Sequence, residues 1–169
     1  SYSAKEGIRR MSKHREKDWG MLKRIGRYLK LRPRAVIWYR WQVGNGHIEG
    51  STDSDWAGCR STRRSTIGRA LMRGDHLLKT YSKTQANIAL SSGEAELYAV
   101  VKACSEVLGL CSIARDWGLE LRGRVWADAS TALGTVGRQG RGKVRHLDTN
   151  VLWAQEAALR KRLVYCKVK

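Results

Sequence analysis

Between residues 19 and 29 the apolar side chains Trp19, Leu22, Ile25 and Leu29 return at helical spacing, with Lys23, Arg24, Arg27 and Lys30 around them. That period predicts one amphipathic basic helix, its apolar stripe suited to packing and its charges to solvent. The helix stops before Pro33, which disfavours helical backbone at its neighbour. The period then changes. "AVIWYRWQV", residues 35–43, is rich in β-branched and aromatic side chains and reads as a strand. "GNG" follows as a tight hairpin turn into a second strand, "HIEGSTD".

Beyond a polar loop, "RSTRRST", the stretch "IGRALMRGDHLLKTYS" predicts two strands joined near Gly74 and Asp75. "SSGEAELYAVVKACSEVLGLCSIARDWG" carries the longest helical pattern, either two helices or one bent near Gly109. "GRVWAD" is a short strand ending on Asp128, "STALGTVG" a brief helix and "RQGRGKVR" a mobile basic loop. "LDTNVLWAQEAALRKR" closes with a helix that sets Leu147, Val151, Ala154 and Ala158 on one face, and "LVYCKV" returns as a last strand. The order predicts an α/β domain with a mixed sheet.

Composition narrows the partners. Lys and Arg number 33 against 15 acids in 169 residues, a net charge of +18 that points to a polyanion, nucleic acid ahead of membrane. The charge is uneven: residues 1–46 hold 13 basic and 3 acidic side chains, and the remaining residues 20 and 12. This sets a basic N-terminal extension, 1–46, apart from the main domain, 47–169. No uninterrupted apolar run approaches membrane-spanning length, which predicts no membrane partner. Cys59, Cys104, Cys111 and Cys166 form no CxxC pair and read as thiols buried in a reducing, intracellular compartment, cytoplasmic or nuclear. The chain opens without Met and ends on "CKVK", as expected of a segment of a longer polypeptide.

Four acids fall at element boundaries: Asp53 on the first strand of the domain, Glu96 in the long helix, Asp128 at a strand's carboxyl end and Asp148 opening the last helix. Carboxylates gathered in one place raise one another's pKa unless cations neutralise them. Paired divalent ions are the natural counter-charge, and they serve phosphodiester hydrolysis. In "SSGE", Ser91 reads as the N-cap and Glu94 as its capping-box partner. Glu96 lies about 200° further round the helix, heading the small apolar line Ala99, Val100, Ala103, Cys104, where a carboxylate needs a partner. Each acid also has a purely structural alternative. Asp128 and Asp148 could cap helices, and Asp53 and Asp55 could be turn acids.

The runs "STDSDWAG", "RSTRRSTIG", "YSKTQANIALSSGEAELYA", "ADASTA" and "KVRHLD" together resemble the ribonuclease H domain of copia-type retrotransposon polyproteins. "KDWGMLKRIGRYLK" resembles the helix that joins this domain to reverse transcriptase in the same elements. The resemblance implies a ribonuclease H-like fold, a five-stranded mixed sheet of three antiparallel then two parallel strands flanked by helices. It implies metal-dependent cleavage of the RNA strand of RNA–DNA hybrids, with reverse transcriptase as a partner in the same polyprotein. Carried over by motif, Asp53, Glu96, Asp128 and Asp148 are both the catalytic acids and the ligands of two Mg²⁺, for which Mn²⁺ can substitute. Asp55 then becomes a nearby supporting or turn acid. Many relatives have an acid where Cys59 stands and an aromatic where Arg69 stands. In that fold the first long strand has neighbours on both sides, which sets residues 35–43 outside the sheet or past its end.

Basic side chains near those acids are expected to grip phosphates. Arg138, Arg141, Lys143 and Arg145 lie in the loop before Asp148, and Arg63 and Arg64 follow the first strand. His146, two residues before Asp148, could assist proton movement as an imidazole can, but a local hydrogen-bonding role suffices for it. A non-enzymatic alternative fits the same basicity: a retroelement domain captured by its host as an RNA-binding structural subunit of a ribonucleoprotein assembly.

Overall fold

The structure, a computed structural model, describes residues 2–34, 36–140, 142 and 152–168. It divides into two compact units, residues 1–41 and 42–169.

In the first unit, α1 spans Tyr2–Ile8, a short 3₁₀ turn Met11–Lys13, and α2 Glu16–Leu31. The start of α2 is held by Asp18. Its Oδ2 accepts the Arg15 backbone N–H at 2.9 Å, and its Oδ1 accepts Arg10 Nη1 at 2.5 Å. The expected stripe is on α2, but Trp19, Leu22 and Leu29 are exposed.

The second unit is built on a five-stranded sheet in the order β3-β2-β1-β4-β5. Its strands are β1 His47–Ser54, β2 Thr66–Arg73, β3 His76–Thr84, β4 Arg122–Ala127 and β5 Leu163–Lys167. β1, β2 and β3 are antiparallel neighbours, while β4 runs parallel to β1 and β5 parallel to β4. This is the mixed ribonuclease H arrangement the resemblance implies. Residues 36–43 form no strand, contrary to the hairpin read from their composition. The reason is pairing: β1 has β2 on one edge and β4 on the other, so neither edge of β1 can receive another strand. Trp38, Trp41 and Val43 are left exposed. Gln42 is anchored elsewhere, donating from Nε2 to Arg73 O at 2.7 Å and accepting the Asp75 N–H at 3.0 Å, at the β2–β3 turn.

The long helical pattern is one helix, α3, Ser92–Asp116, without a break at Gly109. Its length and apolar content would let it cross a bilayer, although Lys102 and Glu106 interrupt its apolar run. Instead, Ala99, Val100, Ala103, Cys104 and Val107 are fully buried in the core with Ile48, Leu71 and Val125. The helix approaches the sheet closely because two strand positions lack side chains. A Cβ at Gly50 would stand 2.7 Å from Val107 Cγ2, and one at Gly123 2.8 Å from Val107 Cγ1. α4, Ser130–Val136, and α5, Trp153–Leu159, complete the layer. Ala154 and Ala157 of α5 are buried. Leu147 and Val151, expected on the same face, lie outside the described residues. Cys59 and Cys104 are buried and Cys111 and Cys166 half-buried, all four as free thiols.

Candidate active site

Parallel pairing of β1 and β4 brings their carboxyl ends to one edge of the sheet, where α/β folds gather chemistry. Ser51 pairs with Trp126, and the same register carried two residues on sets Asp53 beside Asp128. Glu96, the fifth residue of α3, reaches this point from the helix side. Carboxylate oxygens of Asp53, Glu96 and Asp128 lie within 4.8 Å of one another. Asp53 and Asp128 are exposed and Glu96 is 8 % exposed.

Glu96 is held by one bond and lacks another. Its Oε1 accepts the Ser54 backbone N–H at 3.1 Å, while its buried Oε2 has no hydrogen-bond partner. Burial first, then the charges of Asp53 and Asp128, push its carboxyl up to about 7, opposed by the Ser54 N–H. Three converging carboxylates with one orphaned oxygen suit a hard divalent cation, whose oxygen-ligand preference matches this donor set.

The structural alternatives separate. α4 begins after Ala129 with no side-chain cap, so Asp128 is not its capping residue. Asp55 is a turn acid: its Oδ1 accepts the Thr66 backbone N–H, its own N–H donates to Thr66 O at 3.1 Å, and its carboxylate packs over Gly58. Ser91 caps α3 through the Glu94 N–H at 3.2 Å. Glu94 does not return to Ser91 as the capping box predicts. Its carboxylate takes the Leu90 N–H at 2.7 Å and the Tyr98 hydroxyl at 3.1 Å, gripping the chain one residue earlier.

One supporting residue carries no sequence signal of its own. Gln85, buried after β3, donates from Nε2 to Ala95 O at 2.8 Å and Ser54 Oγ at 3.2 Å. It thus ties the first turn of α3 to the end of β1, the two places that position Glu96 and Asp53. No periodicity marks such a residue, because it bridges elements distant in sequence.

The predicted phosphate contacts divide. Arg63 and Arg64 are exposed in the β1–β2 connection, where the Arg63 N–H donates to Cys59 O at 2.7 Å and φ of Arg63 is +55°. Arg138 is exposed at the head of the loop after α4. That loop is clamped by buried Gln155, which accepts the Gly140 N–H at 2.9 Å and donates to Gly140 O at 2.9 Å and Thr135 O at 2.8 Å. Arg141, Lys143, Arg145, His146 and Asp148 lie outside the described residues.

No family model matches the chain. A retrovirus-related Pol polyprotein from transposon RE2 of Arabidopsis thaliana is 32 % identical over 122 residues, 72 % of this chain and 8 % of the polyprotein. The uncharacterized mitochondrial protein AtMg00810 of the same plant is 32 % identical over 110 residues, 63 % of this chain and 44 % of that protein. The chain therefore spans less than half the length of either relative. Among solved structures, the foamy viral protease-reverse transcriptase in complex with dsDNA superposes on 93 % of this chain and 30 % of its own, with TM-score 0.57 and 10 % identity.

Proposed function

We propose that this chain, homologous to retrotransposon Pol polyproteins and folded as a ribonuclease H domain, hydrolyses the RNA strand of RNA–DNA hybrids for its parent element. The observation that carries this reading is the meeting of Asp53, Glu96 and Asp128, with Glu96 Oε2 buried and unpartnered. These three, with Asp148 as the fourth acid of the motif, would hold two Mg²⁺ ions. Such ions, when bound, generate a hydroxide at neutral pH and stabilise the leaving 3′-oxygen.

The protein's own part is positioning. The Ser54 N–H fixes Glu96, and Gln85 holds the helix turn against the strand end. The exposed Arg63, Arg64 and Arg138 are suited to phosphates on either side of the cut, with Arg141, Lys143 and Arg145 continuing the same basic loop. Kinship with polyproteins supports a reverse transcriptase of the same chain as working partner.

A labelled hybrid incubated with the purified chain tests the reading. Cleavage of the RNA strand in Mg²⁺ or Mn²⁺, lost about 10³-fold in Asp128→Asn with binding retained, is the expected result. Binding without cleavage in either metal would refute it and favour the structural RNA-binding alternative, which the charge of +18 also suits.

A further inference from the structure

The second unit carries a basic cavity that the carboxylates do not explain. About 210 Å³ in volume, it is lined by Arg115 near the end of α3, Arg122 at the start of β4, and Lys161 and Arg162 in the turn before β5. All four side chains are exposed, and none has a carboxylate within 4.0 Å among the described residues. Glu120 is the one acid of the lining, and Ser112 accepts from Arg115 Nη2 at 3.4 Å. The turn that presents Lys161 and Arg162 is ordered. The Lys161 N–H donates to Ala158 O at 2.9 Å and the Arg162 N–H to Ala157 O at 3.0 Å, with φ of Lys161 at +53°.

The topology sets this cavity far from the acids. Asp53 and Asp128 stand at the carboxyl ends of β1 and β4, and Glu96 opens α3. The four bases gather at the amino ends of β4 and β5 and the far end of α3. Arg115 is 19 residues further along the helix than Glu96, about 28 Å at 1.5 Å per residue.

We propose that this basic pole is a second binding site for a phosphodiester backbone, taking the single strand that continues beyond the hybrid held at the carboxylates. Four long cations around a mostly polar cavity fit successive phosphates. An acidic peptide would call for the apolar anchors that protein interfaces use. The proposal rests on the nucleic-acid reading of the acid site, but it is measurable apart from it.

The test is fluorescence anisotropy on the whole chain in EDTA, across a salt series. The probes are a blunt hybrid of about 12 base pairs, the same hybrid with a tail of about 16 nucleotides, and that strand alone. RNA and DNA tails in separate arms distinguish the two sources of backbone. In the unmodified chain the tail should tighten binding and steepen the salt dependence. In Arg115→Ala/Arg122→Ala/Arg162→Ala the slope should fall by about 2 on the tailed probe and on the strand alone, and stay unchanged on the blunt hybrid. The matching Arg→Lys triple variant should keep the original slope, which separates loss of charge from loss of fold.

Equal slopes on tailed and blunt probes in the unmodified chain would overturn the proposal. So would an equal loss on both in the Ala variant, or displacement of the tail by an acidic peptide of matched charge. A chain that binds the strand through these bases but ignores the blunt hybrid would keep the pole and sink the hybrid reading.

Discussion

Glu96 of α3 and Arg69 of β2 are both buried charged side chains, and their surroundings differ in one respect that decides what each can do. Glu96 sits at the open edge of the sheet with Asp53 and Asp128 exposed beside it. Arg69 sits mid-strand on β2, 5 % exposed, with Nε, Nη1 and Nη2 all lacking hydrogen-bond partners. Its guanidinium stacks on the Tyr81 ring at 4.6 Å. The nearby Glu106 carboxylate is already taken by Lys79 Nζ at 2.7 Å and the Tyr81 hydroxyl at 3.1 Å. Burial lowers the Arg69 pKa as it raises that of Glu96, the same desolvation acting on opposite charges. At Glu96 further ligands converge where an ion can enter. At Arg69 no further ligand converges: its guanidinium stacks on the Tyr81 ring but its nitrogens make no hydrogen bond, so the ring offsets only part of the cost of burying the charge.

The strongest way to break this comparison is Glu96→Gln. RNA cleavage should fall about 10³-fold, while the metal-free fold gains stability at neutral pH. The sign follows from its raised folded pKa. Between the unfolded value near 4.5 and about 7, the folded state binds more protons than the unfolded one, so stability falls as pH rises through that window. The loss should be on the order of 2 kcal/mol. Denaturant titrations of metal-free protein across that window should show the slope in the native chain and none in Glu96→Gln.

Arg69→Tyr comes next. It replaces the orphaned cation with a side chain the strand can bury, and should stabilise by about 1–4 kcal/mol. Thermal unfolding followed by circular dichroism should rise accordingly, with cleavage unchanged; a fall would mean that stacking on Tyr81 outweighs the cost of burying Arg69. Gln85→Ala tests whether the carboxylate edge needs its brace. Losing both donors should cost about 1–2 kcal/mol of stability and reduce cleavage about tenfold. Smallest of all, Asp55→Ala should cost about 1 kcal/mol through the lost Thr66 contact and leave hybrid cleavage within about threefold, whereas Asp53→Ala should abolish it.

Strand and helix patterns along the chain are strong enough to be read directly: β1 to β5 and the cap at Ser91 follow from local period and chemistry, whereas the continuity of α3 through Gly109 does not. Asp53, Glu96 and Asp128 are legible as candidate acids because they stand near the ends of β1 and β4 and the start of α3. Three features lay beyond local information. Residues 36–43 have the composition of a strand, but pairing is a property of free edges, and β1 has none to offer. Asp53 and Asp55 share one period-2 face. Only the fold turns one towards Glu96 and ties the other to Thr66. Arg69 sits where the resemblance leads to an aromatic, and only packing shows that its guanidinium is shut in against Tyr81 without a hydrogen-bond partner. Local propensity acts through neighbours in the chain. Edge occupancy, convergence of charge and burial depend on residues brought together from far apart in it, and those the tertiary structure alone decided.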